Sequence, residues 1–138
     1  MSTEPKKKIR IGDLLVQNEV ITEEQLSVAL REQKSTGRKL GRTLIELGYL
    51  DEDTLLNILS RQLNVPFVQL RHYQFNGELV KRLSEAMARR FRAIVLAEQS
   101  GELLVGMADP LDIFAYDELV RVLKQPVRQA VVRESELL

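Results

Sequence analysis

The sequence lacks several residue types on which common protein sites depend. Its 138 residues include no cysteine and a single histidine, His72. Without cysteine the chain cannot form a disulfide, a thiolate metal site or a cysteine nucleophile. Because His72 has no second histidine or cysteine to share a metal with, we interpret it as a surface residue.

Long apolar segments and an excess of one charge are also missing. The longest apolar runs, such as residues 93–97, are far shorter than the roughly 18 residues that span a bilayer. The start MSTEPKKKIR has no apolar signal core, and 20 basic residues balance 20 acidic ones. We therefore expect a cytoplasmic protein with no direct membrane insertion. Nucleic-acid binding through the basic start is the weakest alternative, because no aromatic stacking platform accompanies it.

Familiar catalytic motifs do not occur in the sequence. There is no G-x-x-x-x-G-K-[ST] phosphate loop, and no nucleophile elbow or G-x-G-x-x-G follows a predicted strand. The acids at residues 51–53 lack the ligand spacing and central glycine of a calcium loop, and acids are typical of a helix start. We predict a chain with no catalytic residues and no metal.

What the sequence does contain is an internal repeat. Residues 10–33, RIGDLLVQNEVITEEQLSVALREQ, reappear at residues 39–62 as KLGRTLIELGYLDEDTLLNILSRQ, separated only by residues 34–38. The identical positions include Gly12 and Gly41, Leu15 and Leu44, Leu26 and Leu55, Leu30 and Leu59, and Gln33 and Gln62.

Each repeat has the pattern of a short helix, a turn and a longer helix. In the first, helical spacing begins at Ile11, and Thr22 to Gln25 form a capping box before a helix that stops near Gly37. In the second, Gly48 ends the short helix and Asp51 caps a helix that runs through Leu63. We predict two αα-hairpins that face one another with pseudo-symmetry, because two units are too few for a solenoid.

The pattern changes after Pro66. Strands are predicted at residues 67–70, 93–97, 103–107 and 127–132, with a turn at Ser100 and Gly101 between the second and the third. Helices are predicted at residues 78–87 and 112–124, with a further helix starting at residue 134. This order, β-α-β-β-α-β, predicts a small α/β lobe. The predicted fold class is α+β, with a flexible basic leader at residues 1–8, a four-helix lobe at 9–65 and the α/β lobe at 66–138.

Basic residues cluster at the start of each repeat. Eight of the ten lysines and arginines in residues 1–66 lie in two groups: Lys6, Lys7, Lys8 and Arg10, and Lys34, Arg38, Lys39 and Arg42. Each group ends in a basic-apolar-glycine triplet at a predicted helix start, where backbone N–H groups and a glycine would admit a phosphate. Duplicated packing is the simpler alternative. The recurrence of Gln33 and Gln62 favours binding, because packing does not need a glutamine there and a glutamine can bind a base edge or a phosphate.

The tandem motif R/K-L-G-x-x-L-x-x-x-G-x-L-x-x-x-x-L-x-x-x-L-x-x-Q resembles the MshEN-type cyclic di-GMP-binding domain. This domain stands at the front of type IV pilus and type II secretion assembly ATPases, and the likeness is greatest to the MSHA-type pilus ATPases. Residues 88–92 and 104–112 are similar to the second lobe of the same family.

The resemblance implies a composite site for one cyclic di-GMP, without a metal. Arg10 and Gln33 would hold one half of the ligand, and Lys39, Arg38 and Gln62 the other half. Asp109 would accept the N–H groups on guanine's Watson–Crick edge. The remaining implied ligand-binding residues are the two glycines of the triplets and an apolar set: Gly12, Gly41, Ile11, Leu15, Leu26, Leu30, Leu40, Leu44, Leu55 and Leu59.

The first copy of the motif and the second differ in informative ways. Ile11 replaces the motif leucine, and Lys39 replaces an arginine and so loses planar bidentate donation, for which Arg38 could compensate. Glu19 stands where Gly48 stands in the second copy, so the first turn lacks the residue that most readily adopts a left-handed conformation.

The resemblance implies a non-catalytic sensor that couples cyclic di-GMP to a motor ATPase. Its implied partners are the ATPase core and an inner-membrane assembly protein. The alternative is a protein-interaction adaptor that docks a pilus or secretion membrane component without any nucleotide. An adaptor would not need both glutamines and both basic triplets.

Overall fold

A computed structural model describes residues 10–137. It divides into two compact units, residues 1–55 and 56–138, and the division falls inside a helix. The leader predicted at residues 1–8 lies outside the described residues. The domain boundary expected between residues 65 and 66 stays a prediction, and the two units are described separately below.

The first unit contains the helices predicted from the repeats. They are α1 (Ile11–Gln17), α2 (Glu23–Thr36), α3 (Leu40–Glu46) and the first turn of α4 (Glu52–Leu63). The predicted capping box is present, since Gln25 N donates to Thr22 Oγ1 at 3.1 Å and Thr22 N donates to Gln25 Oε1 at 2.9 Å. Asp51 caps α4 by accepting the N–H of Thr54 at 2.7 Å. These hydrogen bonds satisfy helix donors that would otherwise have no partner.

The turns of the two hairpins have the same backbone geometry despite their different residues. Gly48 has φ +79° and Glu19 has φ +59°, so the glutamate adopts the left-handed conformation as well. After the first turn, the N–H of Val20 donates to the carbonyl of Leu15 at 3.2 Å. After the second, the N–H of Tyr49 donates to the carbonyl of the equivalent Leu44 at 3.0 Å. The missing glycine therefore leaves the shape of the first hairpin intact, at the cost of a conformation that L-residues disfavour.

The second unit is built on a three-stranded sheet. Its strands are β1 (Ala93–Gln99), β2 (Glu102–Met107) and β3 (Val127–Val131), in the order β1-β2-β3. Strands β1 and β2 are antiparallel around the predicted turn, and β2 and β3 are parallel. The helices are α5 (Gly77–Val80), α6 (Glu85–Phe91), α7 (Ile113–Leu123) and α8 (Glu134–Leu137).

Apolar side chains cover both faces of this sheet. On one face, Val105 and Met107 of β2 pack with Leu119 of α7 in a completely buried cluster. On the other face, Leu96 and Val132 form a second cluster, to which Leu137 of α8 adds. Successive strand residues point to opposite faces, and this alternation separates the two clusters.

Two predicted elements of the second unit are wrong in detail. The strand expected at residues 67–70 is a single parallel bridge between Phe67 and Val131, followed by a 3₁₀ turn at Leu70–His72. The carboxylate of Glu136 accepts the N–H groups of Leu70 and Arg71 at 3.1 and 3.2 Å, so these donors are satisfied by a side chain instead of a strand partner.

The helix expected at residues 78–87 is divided into α5 and α6. Ser84 caps the second of these by accepting the N–H of Met87 at 3.2 Å, and this cap starts a new helix where the pattern predicted continuity. Ile113, the first residue of α7, is 60% exposed although it is apolar. The α+β fold class, with its helical repeats and small α/β portion, is confirmed. Within residues 10–137, no helix is long and apolar enough to cross a bilayer.

Candidate ligand-binding surface on the repeats

The two basic-apolar-glycine triplets occupy equivalent positions at the starts of α1 and α3. Arg10 and Lys39 are the residues that precede these helices, and both are exposed. Their backbones are extended, with ψ of 132° and 148°. The repeat therefore presents two cations in the same local geometry.

The starts of α1 and α3 lie side by side. A Cβ atom added to Gly12 would be 3.3 Å from Leu40 Cδ2, and one added to Gly41 would be 4.0 Å from Ile11 Cδ1. Leu40 of the second triplet thus lies beside Gly12 of the first, and Ile11 of the first triplet lies beside Gly41 of the second. This reciprocal contact brings the backbones that follow Arg10 and Lys39 together in the first unit.

The glycines of the triplets serve helix packing. A Cβ atom at Gly12 would be 2.7 Å from Leu26 Cδ1, and one at Gly41 would be 3.0 Å from Leu55 Cδ2. Both glycines are buried, and a leucine of the longer helix fills the space that each leaves. These glycines therefore take part in close helix contact, and the expectation that they admit a ligand to the backbone stays a prediction.

The apolar residues expected in the site divide by exposure. Leu15 and Leu44 are completely buried, and Leu55 and Leu59 are nearly so, which makes these four leucines core residues. Ile11, Leu26 and Leu40 are half-buried, and Leu30 is 42% exposed. The residues with surface available to a ligand are therefore Ile11, Leu26, Leu30 and Leu40.

The repeated glutamines follow the leucines along the longer helices. Gln33 is half-buried on α2, and Gln62 is exposed near the end of α4. Gln33 lies seven residues after Leu26 and three after Leu30, so the three side chains share one face of α2. Gln62 has the same spacing from Leu55 and Leu59 on α4.

Arg38 is paired with an acid that the sequence analysis did not assign. Its Nη1 atom donates to both carboxylate oxygens of Glu46, eight residues further along the chain. Thr43, which is 2% exposed, donates its hydroxyl to the carbonyl of Lys39 at 3.0 Å and so fixes the first turn of α3. The spacing of Arg38 and Glu46 crosses a helix boundary, so no helical pattern pointed to this ion pair.

Asp109 lies in the second unit, in the loop between β2 and α7. Its Oδ1 atom accepts the N–H of Leu111 at 3.2 Å, and its carbonyl accepts the N–H of Asp112 at 3.2 Å. The residue is half-buried.

Acidic residues elsewhere act as structural groups. The N–H and hydroxyl of Thr54 hold the pKa of Asp51 below its ordinary value, as expected for a capping carboxylate. Among the residues that the structure describes, no group of three or more histidine, cysteine or acidic side chains could hold a metal ion.

A protein-family model described as the MshEN domain matches residues 63–138. The chain is 32% identical over 110 residues to the type IV pilus assembly ATPase PilB of Myxococcus xanthus, which covers 80% of the chain and 19% of that protein. It is 28% identical over 128 residues to bacteriophage adsorption protein B of Escherichia coli K12, which covers 93% of the chain and 17% of that protein. The chain spans about a fifth of the length of these curated relatives.

One similar solved structure is that of MshE with cdg. It is 40% identical to this chain, has a TM-score of 0.86 and covers 94% of each chain. The matched relatives include both an ATPase and a bacteriophage adsorption protein. The family match extends over more than half of the sequence, and this chain belongs to the MshEN domain family.

Proposed function

We propose that this chain is a regulatory domain that binds one cyclic di-GMP across its two repeats. The observation that carries the proposal is the reciprocal contact between the triplets, in which Ile11 adjoins Gly41 and Leu40 adjoins Gly12. A cyclic dinucleotide has two phosphates and two bases related by symmetry, and two adjacent equivalent surfaces match that arrangement. The similarity to MshE, whose structure was solved with cyclic di-GMP (cdg), supports the same proposal.

Different residues of the repeats take different parts in this proposal. Arg10 and Lys39 supply positive charge for the phosphates, while Gln33 and Gln62 supply amide groups for phosphates or base edges. Ile11, Leu26, Leu30 and Leu40 offer apolar contact to the flat sides of the bases. The buried Leu15, Leu44, Leu55 and Leu59, with Gly12 and Gly41, act by holding these surfaces in place.

Arg38 and Asp109 have more specific proposed parts. Arg38 adds to the positive potential near Lys39, reduced by its pairing with Glu46. The resemblance also assigns to Asp109 the acceptance of guanine N–H groups, since a carboxylate matches two neighbouring donors. A variant with asparagine at position 109 keeps the shape and one acceptor while it removes the charge.

The regulatory part of the proposal concerns a larger protein. We infer a non-catalytic domain of a pilus or secretion assembly ATPase that works in the cytoplasm, with the ATPase core and an inner-membrane assembly protein as partners. The similarity to PilB supports this context. Regulation requires that cyclic di-GMP bind two states of the assembly with different affinity.

Isothermal titration of the purified chain tests the binding proposal. We expect saturable binding of cyclic di-GMP, with much weaker binding of linear pGpG, GTP and ATP, because only the cyclic ligand presents both halves in a fixed geometry. Arg10→Ala and Asp109→Asn should each weaken binding while the chain stays folded. Absence of binding to cyclic di-GMP would refute the proposal and favour the adaptor alternative.

A further inference from the structure

An apolar patch lies at the start of α7, outside the residues proposed to bind nucleotide. Leu111, Ile113 and Phe114 are 39%, 60% and 66% exposed. Among the described residues the other large hydrophobic side chains with comparable exposure are scattered: Leu30, Phe75 and Met87. Three exposed apolar residues within four positions of the chain form a contiguous patch, which is the kind of surface that marks an interaction site.

The backbone beneath this patch is held by hydrogen bonds. Asp112 accepts the N–H of Ala115 at 3.0 Å and so caps α7. Gln129 of β3 donates its Nε2 to the carbonyl of Pro110 at 2.9 Å, which fixes the loop to the sheet. The opposite side of α7 is anchored by Leu119, which is completely buried. The exposed side chains therefore project from an ordered backbone, and a partner would lose little by ordering them.

The charged residues nearest to the patch along the chain are acidic, and the first cation after them, Arg121, donates to Glu118. Asp117 lies four residues after Ile113 and three after Phe114, so it shares their face of the helix. Asp109 and Asp112 precede the helix, and no lysine, arginine or histidine occurs in residues 93–120. Ile113 and Phe114 are thus apolar anchors bordered by carboxylates.

This combination of charges discriminates among possible occupants. An anionic membrane surface would repel the carboxylates. A second copy of the chain that paired through the same patch would bring its own carboxylates against them, since a two-fold contact is self-complementary. A segment with lysine or arginine beside large apolar residues satisfies both the apolar patch and the carboxylates.

We propose that the α7 surface, formed by Leu111, Ile113, Phe114 and Asp117, docks a basic amphipathic segment of another polypeptide. The apolar side chains of that segment cover Ile113 and Phe114, and its cations lie beside Asp117. The proposal does not depend on nucleotide binding, because none of these four residues belongs to the proposed cyclic di-GMP site.

Two synthetic helical peptides of equal length test the α7 surface. Both carry the same leucine face, and their polar faces carry lysine and arginine in one and glutamate in the other. By fluorescence anisotropy with the full chain, we expect saturable binding of the basic peptide and none of the acidic one. Phe114→Ser and Asp117→Lys should each weaken binding by about tenfold, as expected for a central anchor and a reversed charge.

Phe75→Ser is the matched control. Phe75 is 43% exposed and stacks edge-on against Tyr73, whose hydroxyl donates to Leu96 O on the face of the sheet opposite α7. This variant should bind the basic peptide as the unaltered chain does. Equal binding of the two peptides, or unchanged binding by Phe114→Ser, would overturn the proposal.

Two further measurements address the competing occupants. Sedimentation with phosphatidylglycerol vesicles that Phe114→Ser abolishes would overturn the proposal in favour of a lipid surface. Self-association in light scattering that the same substitution abolishes would overturn it in favour of a second copy. A monomer that ignores the vesicles and binds the basic peptide is the expected result. Thermal unfolding of each variant should match that of the unaltered chain, because Phe114 and Asp117 are exposed.

Discussion

Gly12 of α1 lies directly against Leu26 of α2, with 2.7 Å between the position of a Cβ atom on the glycine and Cδ1 of the leucine. Gly41 and Leu55 repeat the relationship in the second copy at 3.0 Å. The glycine and the leucine that are identical in the two copies are therefore the two sides of one helix contact. The repeat preserves a packing unit, and that unit carries the basic residue that precedes each short helix.

Alanine at the two glycines should have unequal effects on stability. At Gly12 the new methyl meets Leu26 and is also within 3.3 Å of Leu40, whereas at Gly41 it meets one terminal atom of Leu55. Overpacking costs about 1–3 kcal/mol, and alanine returns about 0.5–1 kcal/mol in a helix. We expect Gly12→Ala to lower the free energy of unfolding by about 1 kcal/mol and Gly41→Ala to change it little. Urea denaturation measures both, and equal losses would contradict the contact geometry.

The left-handed residues of the hairpin turns give a reciprocal prediction. Glu19→Gly should raise the free energy of unfolding by about 0.5–1 kcal/mol, because glycine has no steric penalty at φ +59°. Gly48→Ala should lower it by about 1 kcal/mol, and purely through the backbone, since no atom lies within 4 Å of the added methyl. Thermal unfolding of both variants checks the pair. If Glu19→Gly were destabilising, the glutamate side chain would have a stabilising role that its geometry does not indicate.

The pairing of Arg38 with Glu46 predicts a gain of affinity. Glu46→Gln removes the acid that neutralises Arg38 and leaves the side-chain length unchanged. Because exposed pairs are worth about 0.2–1 kcal/mol, we expect cyclic di-GMP binding to strengthen by about two- to fivefold, more at low salt than at high salt. Arg38→Ala in the same background should remove the gain. Weaker binding by Glu46→Gln would mean that the ion pair shapes the site.

Glu136 predicts a dependence of stability on pH. Burial would raise its pKa, but the N–H of Leu70, the guanidinium of Arg133 and the N–H of Arg71 together hold the pKa below the ordinary value of 4.5. Its ionised form therefore stabilises the folded chain above pH 4.5, and this contribution is lost as the pH falls through the lower folded pKa. Glu136→Gln should be less stable than the unaltered chain at neutral pH, with a difference that shrinks on acidification. A constant difference in urea denaturation would contradict this assignment.

Local signals in the sequence predicted much of the fold. The capping box at Thr22, the cap at Asp51 and the turn at Ser100 and Gly101 are interactions among neighbours in the chain, and all are present. The strand predicted at residues 67–70 was wrong in its extent because the N–H groups of Leu70 and Arg71 bond to Glu136, more than sixty residues away, and not to a strand. The single helix predicted at residues 78–87 was wrong because the prediction followed the apolar periodicity and did not recognise Ser84 as a helix cap.

The equivalent residues of the candidate site were predictable from the sequence, but the exposure of its apolar side chains was not. The repeat identified Arg10, Lys39, Gln33 and Gln62 as equivalent positions, and the structure gives the two cations matching backbones. The sequence could not reveal that Leu15 and Leu44 are completely buried while Leu30 is exposed, because all three residues occupy apolar positions of the same pattern. The exposure of Phe114 was hidden for the same reason, since an exposed and a buried apolar residue look alike in a sequence.

The measurement that most directly tests the central claim is the stoichiometry of cyclic di-GMP binding, compared between the unaltered chain, Arg10→Ala and Lys39→Ala. If the adjacent triplets form one composite site, one ligand binds per chain and either substitution weakens that single event. Two independent sites per chain, of which each substitution removes only its own, would contradict the account, as would binding that neither substitution affects.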